Sequence, residues 1–156
     1  MSSINLPIDI KGPILEAVLE PSPARIEALK KGKLKIPQSI RCNFLLDTGA
    51  ASTCIDPAII KKLELSPTGA MPIITPSTNG IPVVCYTYDI QIIIPASYSE
   101  TEVLNPEMIM PYIRIISIIE AGLIDDQGIS GLIGRDILEQ CLFIYNGRVR
   151  GFTLSW

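Results

Sequence analysis

Phe44-Leu45-Leu46-Asp47-Thr48-Gly49-Ala50-Ala51-Ser52-Thr53-Cys54-Ile55 is the stretch on which the reading of this chain turns. An apolar run with strand character delivers one carboxylate, and small residues follow at once. Gly49 lets the backbone turn tightly and approach a ligand. Ala50 keeps the wall low, and Thr48 hydrogen-bonds locally instead of filling space. Taken alone, Asp47 reads as a turn or capping aspartate, because Asp, Thr and Gly are ordinary loop residues. Ser52 and Thr53 read equally as turn residues.

Outward from this stretch the chain keeps the same character. Hydrophobic residues make up 47% of its 156 residues, which suits one domain with a real core. Isoleucine is prominent, as in Ile113-Arg114-Ile115-Ile116-Ser117-Ile118-Ile119, and β-branched side chains fit pleated surfaces. Thirteen prolines and eleven glycines add many turns, so the composition predicts a mostly β domain of short strands, 1–156. The patterning predicts strands over 14–20, 40–46, 113–119 and 129–133 and short helices over 24–31 and 57–65. A helical turn or two is expected over 136–140. Asn79-Gly80 predicts a long hairpin joining 71–75 to 81–94, and Asn146-Gly147 a second one joining 142–145 to 150–154. Residues 95–111 read as irregular.

Absences narrow the chemistry. The chain has no histidine, which excludes Ser-His-Asp and Cys-His catalysis. General acid–base work then falls to carboxylates, Lys, Tyr or Cys. Cys42, Cys54, Cys85 and Cys141 lack metal-ligand spacing, so no metal or other cofactor is expected, and the thiols read as reduced and mostly buried. Net charge is −3 and the one basic cluster, Lys30, Lys31, Lys33 and Lys35, reads as a solvated helix end, so nucleic acid is not an expected partner. No apolar run reaches the roughly 20 residues of a membrane span, and residues 1–9 lack the features of a signal peptide. A cytoplasmic location is the expectation. Asp125 and Asp126 read as a solvated loop rather than a working pair, since neighbours on a strand point opposite ways.

Gly131-Leu132-Ile133-Gly134-Arg135-Asp136-Ile137-Leu138 supplies a second motif. Together with Leu45-Leu46-Asp47-Thr48-Gly49-Ala50 and the hairpin between them, it resembles the signature of retroviral-type, retropepsin-like aspartic proteases over roughly residues 40–145. The resemblance implies an all-β, closed retropepsin-like barrel with a flap hairpin and one or two short helices. It implies an aspartic endopeptidase that works as a homodimer on peptide or protein substrates. Two carboxylates held close share one proton, one acting as base toward water and the other as acid toward the scissile carbonyl. This chain has one such motif, so Asp47 of a second copy would complete the dyad across a two-fold axis. Activity at acidic to near-neutral pH follows from that chemistry.

For the matching positions, the resemblance makes Asp47 the catalytic aspartate within the active-site loop Thr48, Gly49, Ala50. Thr48 would lock the two loops across the axis, and Gly49 would offer its carbonyl to substrate. Ala51 and Ser52 are further substrate-contact candidates, with Ser77, Thr78, Asn79 and Gly80 as the flap tip. Leu132 and Ile133, with Ile81 and Val83, would make apolar cleft walls. Arg135 and Asp136 would form a buried structural brace. Ala51 stands where the viral enzymes usually carry a polar residue. The long 95–127 segment and the 24–31 helix resemble cellular and bacterial relatives more than viral ones. The alternative is a peptide-binding or structural dimer of the same fold without catalysis.

Overall fold

The computed structural model describes residues 2–74, 79–96, 110–122 and 128–156. Its strands are β1 (Ser3–Pro7), β2 (Ile14–Pro21), β3 (Ile40–Leu46), β4 (Cys54–Ile55), β5 (Gly69–Ile73), β6 (Val83–Ile94), β7 (Tyr112–Glu120), β8 (Gly131–Ile133), β9 (Leu142–Asn146) and β10 (Gly151–Ser155). Three short helices intervene: α1 (Pro23–Lys31), α2 (Pro57–Lys62) and α3 (Arg135–Leu138).

Six strands close on themselves in the order β2-β3-β8-β4-β7-β6, and β6 returns to β2 through pairs such as Val18↔Ile93. The result is a closed barrel. Its interior follows from period-two alternation. Along β6, Tyr88, Ile90, Ile92 and Ile94 are buried, while the residues between them are half-buried. Leu15, Ala17 and Leu19 from β2 and Phe44 and Leu46 from β3 meet them in the same core.

β5 joins the edge of β6 that β2 uses further along, pairing Ile73↔Val83 through Gly69↔Thr87. This two-stranded hairpin leaves the barrel, and Asn79 and Gly80 lie beyond it with φ of 50° and 77°. Two consecutive positive φ values suit the Asn-Gly turn expected there. Ser77 and Thr78 lie outside the described residues, as do Asp125 and Asp126.

A separate sheet runs β1-β10-β9. The C-terminal hairpin is as expected, with Arg150 at φ 52° in its loop. β1 was not expected as a strand. Pro7 has no N–H to donate, yet β1 is an edge strand paired only to β10, where such a residue is tolerated. α2 ends at Lys62, short of the expected 65, because Leu63 caps it and Glu64 takes a positive φ of 50°. Both longer helices start as their sequences suggest: Ser22 accepts from the Arg25 N–H at 3.3 Å and Asp56 from the Ala58 N–H at 2.7 Å, each just before a proline. No helix among the described residues is long and apolar enough to cross a membrane.

Candidate active site

β3 ends at Leu46, and its neighbour β8 runs parallel with Leu46↔Ile133 in register. The Asp47 N–H donates to the Ile133 carbonyl at 3.0 Å, so the ladder carries one residue past the strand and fixes the start of the loop. Asp47 then folds the loop onto itself. Its Oδ1 accepts from the Gly49 N–H at 2.8 Å, and its carbonyl accepts from the Ala50 N–H at 3.2 Å. A Cβ at Gly49 would lie 3.1 Å from Asp47 Oδ1, so the glycine admits the carboxylate to that turn. Asp47 is half-buried, Thr48, Gly49 and Ala51 are exposed, and Ala50 and Ser52 are half-buried.

The second motif holds this loop from behind. The Arg135 N–H donates to the Ala50 carbonyl at 2.9 Å, and Arg135 Nη1 donates to the Thr48 carbonyl at 3.1 Å. Asp136 takes the Thr53 N–H at 2.8 Å and the Thr53 hydroxyl at 2.7 Å, while the same hydroxyl accepts from the Gly134 N–H at 3.1 Å. Asp136 also accepts from the Ile137 N–H at 3.0 Å. Thr53 is fully buried. A buried hydroxyl must donate and accept to offset its desolvation, and this one does both. Glycine is required at the closest approach: a Cβ on Gly134 would sit 2.6 Å from the Ser52 carbonyl carbon.

Arg135 is exposed, which corrects the expectation of a buried brace. Its partner is a backbone carbonyl, so no polar side chain is needed at Ala51, and a guanidinium in water avoids the cost of burying its charge. Ile133 is also corrected. It is fully buried in the core, and only half-buried Leu132 is open to solvent. Adjacent strand residues face opposite ways, so the two cannot share one cleft wall. Val83 is about half exposed. It shares a face with Cys85 and Thr87, whereas Val84 and Tyr86 fall on the face of Tyr88 and Ile90.

Two positions escaped the sequence reading. Thr53 read as a turn residue, although its place just before the apolar pair Cys54-Ile55 signals a strand entrance. Glu120 drew no attention; its Oε2 accepts from the Tyr88 hydroxyl at 2.9 Å. Burial first, and this hydrogen bond second, push the Tyr88 phenol up to about 12.

All four cysteines are free. Burial raises the thiols of Cys42, Cys54 and Cys141, and for Cys54 the neighbouring Asp47 and Asp136 add to it. A thiol held protonated is a poor nucleophile, which leaves Cys54 a packing role. Among the described residues no group of three or more Cys, Asp or Glu is arranged to hold a metal.

This geometry is a looped aspartate at a strand end, cross-tied to a Gly-Arg-Asp helix start on a closed barrel. Residues 32–137 match the aspartyl protease family, and the chain belongs to that family. Its fold is retropepsin-like: it is similar to the crystal structure of a retropepsin-like aspartic protease from Rickettsia conorii, with a TM-score of 0.55 at 14% identity over 99% of this chain and 90% of that one. No curated protein matches the chain.

Proposed function

We propose that this chain is an aspartic endopeptidase whose working unit is a homodimer, with Asp47 of each copy forming the dyad. One observation carries the reading. Of the two carboxylates in the paired motifs, that of Asp136 is consumed by Thr53 and the Ile137 N–H, whereas among the described residues that of Asp47 accepts one hydrogen bond, from Gly49, and its other oxygen accepts none. The two motifs therefore offer one free carboxylate per chain, and peptide hydrolysis by this route needs two. A second copy is the simplest source, and Thr48, exposed beside Asp47, would meet its mate there.

The three-stranded sheet supports association. β9 is its outer strand, and Leu142 and Ile144 on one face are about half exposed, at 53% and 48%. Among the described residues no strand pairs with its outer edge, and an apolar edge without lysine or proline is a ready template for pairing. The hairpin β5–β6 would close over an extended substrate. Asn79 and Gly80, with Ser77 and Thr78, would form its tip, and Gly49, Ala51, Ser52 and Leu132 would line the opposite wall. Water held between the two carboxylates attacks the scissile carbonyl, one aspartate taking its proton while the other donates to the carbonyl oxygen.

The test is cleavage of a mixed peptide library by the natural chain and by Asp47→Asn between pH 4 and 7, with mass measured in solution. Cleavage by a dimer, lost in the variant, is the expected result. A folded dimer that never cuts overturns the enzyme and leaves a peptide-binding module.

A further inference from the structure

The barrel opens where the hairpin leaves it. β6 and β7 pair from Ile94↔Tyr112 down to Thr87↔Ile119 and then part. β7 turns toward β4 instead, the Ala121 N–H donating to the Ile55 carbonyl at 3.1 Å. Beyond Thr87, β5 covers one edge of β6. Among the described residues no strand pairs with the other edge over 83–86. That edge keeps main-chain donors and acceptors for an added strand.

Beside this edge lies a pocket of about 280 Å³ lined by Pro57, Val84, Cys85, Tyr86, Glu120 and Gly122. Pro57, Val84 and Tyr86 give it apolar and aromatic surface, and its one charged side chain is Glu120. Tyr88 binds one oxygen of that carboxylate and so orients it, leaving the other without a hydrogen-bond partner among the described residues. The ion pairs among those residues are Lys31–Glu27 and Arg41–Glu16, and neither involves Glu120. A long aliphatic stem with a cationic head matches this shape: the stem lies on Val84 and Pro57, and the head reaches the carboxylate beside the Tyr86 ring.

We propose that the free edge of β6 and the Glu120 pocket together form a second peptide site, which adds an extended segment as a strand and takes one of its arginine or lysine side chains. The site lies away from the Asp47 loop. In register terms Glu120 stands opposite Ile55, and Ile55 opposite Gly131, three residues before Gly134 where the loop is tied. Crossing from β3 to β7 spans three strand spacings, about 14 Å. An extended peptide rises about 3.4 Å per residue, so this position engages a residue several places from the bond to be cut. The claim that its ligand is substrate rests on the protease reading, but the binding claim does not.

The experiment uses Asp47→Asn protein, so that cleavage plays no part. A blocked pentapeptide, Val-Thr-Arg-Thr-Val, and its analogue with norleucine for arginine are titrated while backbone amide signals are followed by NMR. The arginine peptide is expected to shift the signals of Val84, Cys85, Tyr86 and Gly122 and to bind about tenfold more tightly than the norleucine analogue, the usual contribution of one charged hydrogen bond. Glu120→Gln should erase that preference. Equal affinity for the two peptides, or shifts confined to residues 47–52, overturns the proposal; the peptide comparison on unaltered Glu120 stands whether or not the Gln variant folds.

Discussion

The two halves of the candidate site are built in opposite ways. The Asp47 loop is tied at nearly every step, to Ile133, to Ala50 and Gly49 within itself, to both Arg135 bonds and to the buried Thr53–Asp136 pair. The β5–β6 hairpin proposed to close over it has no strand partner beyond Thr87 among the described residues, and it exposes Met71, Val83, Val84 and Tyr86 by 38–69%. On the proposed reading, one half would hold a reacting group in place before substrate arrives, as catalysis by positioning requires. The other has little packing to lose if it moves, the property expected of an element that opens and closes.

The contrast is breakable. Asp136→Ala should do most damage, because it orphans the buried Thr53 N–H and hydroxyl; at about 1–3 kcal/mol per unsatisfied buried group, denaturant titration should show a loss of about 3 kcal/mol. Gly131→Ala comes next. Its Cβ would fall 2.3 Å from Phe44 Cε1 and 2.6 Å from the Cys54 carbonyl oxygen, an overpacking expected to cost about 2 kcal/mol in the same titration. Arg135→Ala removes one exposed bond to the Thr48 carbonyl and should cost about 1 kcal/mol, with a larger proportional fall in kcat than in stability. On the hairpin, Val84→Ser should change stability by less than about 0.5 kcal/mol and raise KM with little change in kcat. The last effect shows only at high pH and involves Tyr88. Its phenol titrates near 10 when unfolded and about 12 when folded. Its contribution is therefore fully present below pH 10 and is lost as pH rises toward 12, so a base titration of Tyr88→Phe should lack that component.

Much of this was legible from local signals. Asp47-Thr48-Gly49-Ala50 and Gly134-Arg135-Asp136 carry their own turn and helix-start chemistry, and both Asn-Gly pairs mark hairpins. What escaped depends on partners distant in sequence. β1 is a strand only because residues 151–155 lie beside it, the return of β6 to β2 closes the barrel through no local pattern, and β4 is two residues long. The misplacement of Ile133 was a question of face, which a strand's register decides and its composition does not.

The clasp between the chain's two ends has a consequence for how the molecule is made. Ser2 and Trp156 exchange backbone hydrogen bonds of 3.0 and 2.9 Å, Ser2 caps the Met110 N–H at 2.9 Å, and the Trp156 indole donates to the Met110 carbonyl at 2.9 Å. Contacts this remote in sequence are slow to form, because the chain must close its largest loop before they reward it. On the ribosome β1 emerges well before its partner β10. Until residues 151–155 have been released β1 lacks that partner, and the three-stranded sheet assembles only then.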